Sequence, residues 1–501
     1  MLKGFIVLYY KKNHSLSSDT LILSKEKAWN LQLPALEPKK VWDLPIIVPI
    51  LIGILICLIT SRENYLLFMA ALAGFIMFFS IKHPELALAM LFNGVFIYLY
   101  SVFKLGVETS RIMTGSFYGF LAICYILGGI LFIIKSPHEF KFMLIMKRPQ
   151  KLKFMSIDIL FFSFFCLVIL SYFIFYKGEE LAYIKITYAP LLVIVPYFGI
   201  RLLVSKEKIG DFLKYCVIWA AILIIPAFYE LIFNPTFREY GRFSMYMFSG
   251  SGDNPILFGI TFSTLMLILF VWMFEQRKLI LKYFVFIIPS MFLLLRSGSR
   301  GAIISFLVSI LFYIFFMLKS KLKIKIYALF TIALLIFITY KFIPEATKQF
   351  YDYTFSLEAL EEPMSSIQQR IDLFKSTTKE FIDNPIMGVG IGNSVYGIGF
   401  PHNILLETSA ELGVFGLSIL LLMFYLTIRK ALSFIKKEEK IDLKILMKIS
   451  LSLFIYSLAE SMYSGYLTNQ TQLFLSMGLI ASLIEFKSRK KEINVEPKKS
   501  F

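Results

Sequence analysis

Residues 255–274 read PILFGITFSTLMLILFVWMF, twenty consecutive positions without a charged side chain. A helix of that length rises about 30 Å, the thickness of the hydrocarbon core of a bilayer. Runs of the same kind recur at 44–60, 65–81, 86–105, 114–134, 156–176, 188–204, 212–233, 279–295, 301–318, 324–343, 412–428, 445–464 and 468–486. Of the fourteen, 188–204 and 445–464 carry the weakest signal. The expected fold class is all-α: a polytopic transmembrane helix bundle of about 12–14 spans.

Composition agrees with that reading. The 501 residues are 57% hydrophobic and 17% aromatic, with a mean hydropathy of +0.71. Charged residues make up 17%, against about 25% in an average soluble domain, too few to coat even one such domain. Soluble, disordered and disulfide-scaffold classes are excluded. Cys57, Cys124, Cys166 and Cys216 all fall within expected spans and read as packing residues, with no metal-ligand or disulfide spacing. The stretch Phe5–Tyr10 is too short for a cleavable signal sequence, so the first span is expected to direct insertion.

The net charge of +18 would suit nucleic acid if it formed one patch, but it is distributed as a topology signal. Lysine-rich loops at 135–153, 319–325 and 429–448 and the tail at 487–499 fall on one side, the cytoplasmic side by the positive-inside rule. The expected organisation is a cytoplasmic tail 1–43, spans 1–11 over 44–343, one large extracytoplasmic loop 344–411, spans 12–14 over 412–486 and a basic tail 487–501. Both termini are then cytoplasmic, in a multi-pass protein of the cell membrane. No nucleic-acid partner is expected.

Loop 344–411 reads as partly helical. Ser365 and Ser366 each precede a Gln by three residues, a capping-box pattern that predicts a helix over 367–382. Asn384-Pro385 ends it, and Gly388, Gly390, Gly392, Gly397 and Gly399 make a flexible or tightly turned stretch, read as a hinge for closing the loop. A second short helix over 403–412 leads into the span that starts at Gly413.

Arginine is distributed unlike lysine. Seven of 12 arginines fall on the outer side (Arg62, Arg111, Arg238, Arg242, Arg296, Arg300 and Arg370), against seven of 40 lysines. Guanidinium forks bind phosphate or carboxylate in bidentate fashion, which gives the outer excess a chemical reason. Arg62, Arg111 and Arg296 read first as interfacial snorkellers. Arg300 does not, because Arg296-Ser-Gly-Ser-Arg300-Gly-Ala is a tight turn at the mouth of the bundle. Of the four histidines, His14, His83 and His138 are cytoplasmic and His402 alone is outer. It follows the glycine-rich stretch and precedes Glu407 and Glu411, which lie one helical turn apart.

These residues resemble the membrane family of O-antigen ligases and O-antigen polymerases. Arg242-Phe-Ser followed by Gly252-Asp-Asn254-Pro255 resembles its arginine loop before a span. Ser299-Arg300-Gly301-Ala302 resembles its Ser-Arg-Gly element. The segment from Arg370 through Asn384-Pro385 and Gly388-Val389-Gly390-Ile391-Gly392-Asn393 to His402-Asn403, Leu406, Glu411, Gly413 and Gly416-Leu417 resembles its large outer loop and following span. The likeness covers about 240–425; spans before 230 carry no motif.

The resemblance implies transfer of a glycan from a polyprenyl-diphosphate carrier to an acceptor hydroxyl on the outer face of the membrane. No cofactor is implied, and no metal. Asp-x-Asp pairs, which often hold diphosphate through a divalent cation, are absent from the sequence. By matching, Arg242, Arg300 and Arg370 would neutralise the departing diphosphate, and His402 would take the acceptor proton. Glu407 or Glu411 could orient the imidazole, Glu411 equally could pair structurally, and Asn403 is a further contact. The lysine-rich, arginine-poor usage favours polymerisation of a surface polysaccharide (O-antigen, capsule or teichuronic type) over ligation to a lipid, protein or cell-wall acceptor. A flippase for lipid-linked oligosaccharide is the rival of another class; its in-span candidates are Glu230 and Glu460, both near span ends.

Overall fold

A computed structural model of the chain describes residues 84–93, 155–202, 206–233, 255–276, 283–320, 322–345, 347–349, 352, 366–394 and 401–495. Among these residues there are helices and turns and no strand. The helices are α1 (Pro84–Asn93), α2 (Ser156–Phe175), α3 (Glu180–Ala189), α4 (Val195–Leu202), α5 (Lys206–Ile222), α6 (Ile224–Phe233) and α7 (Pro255–Gln276). They continue with α8 (Phe284–Arg296), α9 (Arg300–Phe312), α10 (Leu322–Lys341), α11 (Ser366–Asp383), α12 (Ile404–Lys437), α13 (Ile441–Glu460) and α14 (Thr471–Val495). Among the described residues, six stretches are long and apolar enough to cross a membrane: Ser156–Phe175, Glu180–Arg201, Lys208–Tyr229, Ile256–Gln276, Arg300–Met317 and Ile404–Lys437. The chain is a multi-pass membrane protein. The expected spans 44–60, 65–81 and 114–134 lie outside the described residues; so does most of 86–105.

Two departures from the sequence reading have local causes. The span expected at 188–204 begins earlier, at Glu180, because Pro190 does not end the helix. A proline in a helix removes one hydrogen bond and crowds the preceding turn; here the chain widens into a π turn, Pro190–Ile194, closed by Val195 N–H on the Pro190 carbonyl. The span expected at 412–428 is the second part of α12. Its first part, from Ile404, is the short helix expected over 403–412, and the two meet at Gly413, whose φ of 63° and ψ of −162° are not helical.

Helix α13 is the centre of the bundle, packing on α7, α9, α12 and α14. It packs closely on α9, where the buried Ser309 Oγ donates to the carbonyl of the buried Ser452 at 2.6 Å. Small residues let helix backbones approach closely where lipid offers no hydrophobic drive for association. Ser450 and Ser452, with Lys448, dilute the apolar signal over 445–464. Large apolar side chains are left exposed, such as Phe162 and Phe173 on α2, Phe330 and Phe337 on α10 and Leu421 and Leu422 on α12, as expected of a surface that meets lipid.

At the end of the bundle where α2 begins and α4 ends, Arg201 is fully buried. Its Nε and Nη2 donate to the two carboxylate oxygens of Asp158, both at 2.8 Å, and Nη1 lies 2.7 Å from Glu485 Oε2. Tyr197 Oη donates to the same Asp158 at 2.7 Å. Close by in the fold, Lys448 Nζ lies 2.7 Å from Glu275 Oε1, which also accepts from Tyr313 Oη at 2.7 Å. A charge in this setting is tolerated only when paired, so these clusters fix which helices are neighbours.

Candidate functional site

The opposite end of the bundle gathers the residues singled out in the sequence. Asn403 is the N-cap of α12: its Oδ1 accepts from Leu405 N–H and Leu406 N–H, each at 3.1 Å. This satisfies donors that the first helical turn leaves open. Ile404 N–H donates to the Ser461 carbonyl at 3.0 Å, pinning the start of α12 to the end of α13. Between the cap and Pro401 stands His402, with φ of 51°. Left-handed backbone is uncommon for a residue other than glycine, and it clusters at functional positions.

The half-buried imidazole of His402 sits under the influence of Arg370, from the first half of α11. Burial, and then the Arg370 charge, push its pKa down to about 4, so the ring is neutral at neutral pH. Arg370 is itself half-buried, and burial lowers its pKa, opposed by the negative charge of Glu460. Glu460, the last residue of α13, is buried and accepts from Ser464 Oγ. Helix α9 meets the same carboxylate with its first turn: a Cβ at Gly301 would stand 3.3 Å from Glu460 Oε2 and 3.1 Å from Tyr463 Cβ. A larger residue here would require these neighbours to give by a few tenths of an ångström. The structure therefore brings His402, Arg370, Glu460 and the first turn of α9, which begins with Arg300, to one end of the bundle.

The turn before α9 has the expected form. Arg296 ends α8, Gly298 takes φ of 62°, and Ser299 caps the helix that Arg300 starts. Arg296 is no snorkeller, however. It is fully buried, and its Nη1 donates to Thr347 Oγ1. Arg242, and the Gly252–Asn254 part of its motif, lie outside the described residues, as do Arg62, Arg111, Arg238, Gly397 and Gly399.

Glu407 and Glu411 are drawn elsewhere than the imidazole. Lys185 of α3 places its Nζ 2.5 Å from Glu407 Oε1 and 2.5 Å from Glu411 Oε1, with all three side chains at 0% exposure. Glu407 Oε2 accepts from Leu467 N–H at 2.9 Å. Two buried carboxylates thus share one buried ammonium, which is the structural pairing that was the alternative for Glu411.

Over Gly388–Gly392 the glycine-rich stretch is tightly turned. Gly388, Gly390 and Gly392 have φ of 70°, 93° and 70°, and all three are buried. Val389 N–H and Gly390 N–H donate to the carbonyls of Ala410 and Glu411 at 2.9 and 3.0 Å, and Val414 N–H donates to the Pro385 carbonyl at 2.8 Å. Asn393 Nδ2 holds the Phe175 carbonyl at 2.6 Å, and Ile391 N–H donates to Ser171 Oγ at 3.0 Å. The run thus ties α11 to α12 and to the end of α2.

Glu460 and Lys185 were not legible as site residues. Glu460 reads from sequence as an acid near a span end, and Lys185 as one of 40 lysines. Their partners are remote in the chain, so no local spacing marks them. Among the described residues no group of three or more His, Cys, Asp or Glu could hold a metal ion.

Residues 284–421 match the family model described as O-antigen ligase. The match spans α8, the Arg300 turn, α11, the glycine-rich stretch, His402 and the first half of α12. Over this segment the chain is similar to the O-antigen ligase family. No curated protein matches the chain.

Proposed function

We propose, on the premise that residues 284–421 form an O-antigen-ligase-type segment, that the protein transfers a glycan from a polyprenyl-diphosphate carrier to an acceptor hydroxyl at the His402 end of the bundle. The observation that carries this reading is a neutral imidazole beside a half-buried guanidinium. A neutral ring can accept a proton; the guanidinium beside it can meet the negative charge of a phosphate.

The reaction then runs as a displacement. The acceptor oxygen attacks the anomeric carbon while His402 takes its proton. The bond from that carbon to the diphosphate oxygen breaks, and the electron pair leaves with the polyprenyl diphosphate. Arg370 and Arg300, with Arg242 assigned by resemblance, neutralise the charge gained by the leaving group. Glu460 touches no reacting atom in this scheme; it holds Arg370 in position. Negative charge arriving between His402 and Arg370 offsets the guanidinium and raises the basicity of the imidazole, nearer the value that suits proton transfer at neutral pH.

Polymerisation is the finer reading, with a second lipid-linked oligosaccharide as acceptor. The site faces what we assign as the outer side of the cell membrane, with both termini cytoplasmic. The deciding experiment is purified protein with a polyprenyl-diphosphate-linked oligosaccharide, with and without chelator, read as a product ladder on a gel. A ladder that survives the chelator supports metal-independent polymerisation. A single product, formed only when a second acceptor is added, would mean ligation. No product, with movement of the lipid across vesicles, would mean a carrier.

A further inference from the structure

Helix α11 has three faces. At 3.6 residues per turn, Arg370, Leu373 and Thr377 share one face, and Leu373 and Thr377 are buried against the bundle. Asp372 and Asp383 are exposed on a second. The third is a shallow groove lined by Ile371, Phe374, Lys375, Thr378, Lys379 and Ile382, three large apolar side chains flanked by two lysines. Ile382 is 67% exposed, and the apolar surface continues through Ile386 at 60% and Met387 at 41%. Nothing of the described protein covers it.

The position of this surface relative to the spans is fixed by a backbone link. Val414 N–H donates to the Pro385 carbonyl, and a Cβ at Gly413 would collide with the Ile386 carbonyl. Ile386 therefore lies level with the first turn of the membrane-crossing part of α12. That turn presents Val414 and Phe415 outward, at 45% and 55% exposure, at the head of the lipid-facing surface that Leu421, Leu422 and Tyr425 continue. The exposed end of α11 is continuous with the exposed apolar face of a helix long and apolar enough to cross a membrane.

We propose that α11 is an interfacial helix: its Ile371, Phe374, Ile382 and Ile386 edge sits in the headgroup and acyl boundary of the bilayer, and Lys375 and Lys379 meet lipid phosphates. An apolar stripe with basic flanks is the composition that holds a helix in the plane of a membrane. The proposal rests only on the chain crossing a membrane, so it stands or falls apart from the glycan transfer proposed above. Where both hold, Arg370 lies at the depth of lipid phosphates, and a carrier diphosphate reaches it with its chain still in the bilayer.

The test places a nitroxide by a keto amino acid at Ile382, Ile386, Asp372 or Asp383, one at a time, leaving the native cysteines intact. Each exposed site tolerates a label, and thermal unfolding in detergent confirms that each labelled protein is folded. In proteoliposomes containing phosphatidylglycerol, collision with oxygen should exceed collision with a water-soluble nickel chelate several-fold at Ile382 and Ile386. The order should reverse at Asp372 and Asp383. Lys375→Glu with Lys379→Glu should lower the oxygen preference at Ile382. Chelate-dominated collisions at all four positions would overturn the proposal. Dipolar broadening at Ile382 that vanishes on dilution with unlabelled protein would also overturn it, because a second copy of the chain would then cover the face.

Discussion

The ammonium of Lys185 lies 2.5 Å from Glu411 Oε1, across 226 residues of sequence and with neither side chain exposed. Glu407 takes the same ammonium from one helical turn earlier. This pairing seats the first part of α12, and with it the cap at Asn403 and the backbone of His402, against α3.

Lys185→Met leaves two buried carboxylates without their cation. Breaking one partner of a buried pair costs about 3–5 kcal/mol, so the unfolding midpoint in detergent should fall steeply. Adding Glu407→Gln and Glu411→Gln should recover part of the loss, because no unpaired charge then remains. No recovery in the triple variant would show that shape, and not charge, holds the two helices together.

His402→Asn should abolish transfer while leaving the fold intact. Asparagine tolerates the left-handed backbone that His402 adopts, so the substitution removes the base without straining the turn. Loss of a general base costs about 10²–10⁴-fold in rate. Product formation and thermal unfolding, measured together on the purified variant, separate the chemical effect from a structural one.

The acid side of the pH profile follows from the sign of the His402 shift. With a pKa of about 4, the ring is neutral above that value and loses its capacity as a base only as pH falls through it. The acid limb of kcat/KM, which reports the free protein, should lie near 4 and not near the ordinary 6.5. Arg370→Gln removes a positive charge from beside the ring, so the limb should move upward, with an increase in KM from the lost phosphate contact. A limb unmoved in this variant would remove Arg370 from the neighbourhood that matters.

Arg300→Lys and Arg370→Lys keep the charge and lose the fork. If both arginines bind a diphosphate in bidentate fashion, each lysine variant should lose most of its kcat/KM, with salt sensitivity little changed. Near-normal turnover in Arg300→Lys would make that residue a helix-end anchor only.

Gly413→Ala should disrupt the link between α11 and α12. The left-handed backbone alone costs an L side chain about 1–2 kcal/mol, and here the new Cβ also meets the Ile386 carbonyl. Loss of unfolding midpoint and loss of transfer should appear together in this variant.

The features legible in the sequence were those encoded locally. The capping pattern at Ser365 and Ser366 placed a helix over 367–382, against Ser366–Asp383 in the structure. Gly413 marked where the span takes over, whereas Asn403 reads from the sequence as a further contact and stands in the structure as the N-cap of α12. What escaped was encoded across the chain. Arg201 between Asp158 and Glu485, Arg296 on Thr347, and Glu460 beneath Gly301 each depend on helices brought together by packing. One sequence holds no record of such pairings. The sequence leaves Gly388–Gly392 as flexible or tightly turned, because glycine permits both, and its close approach to α12 depends on neighbours about twenty residues away.

The pairings also set an order in which the protein can be completed during synthesis. Asp158 leaves the ribosome before Arg201, 43 residues ahead, so that arginine meets a counter-ion almost as soon as its own helix enters the bilayer. Lys185 has no such early partner, because both of its carboxylates arrive more than two hundred residues later. Until then that ammonium lacks the two carboxylates that hold it in the finished fold, so the pairing that seats the start of α12 on α3 is completed late in synthesis.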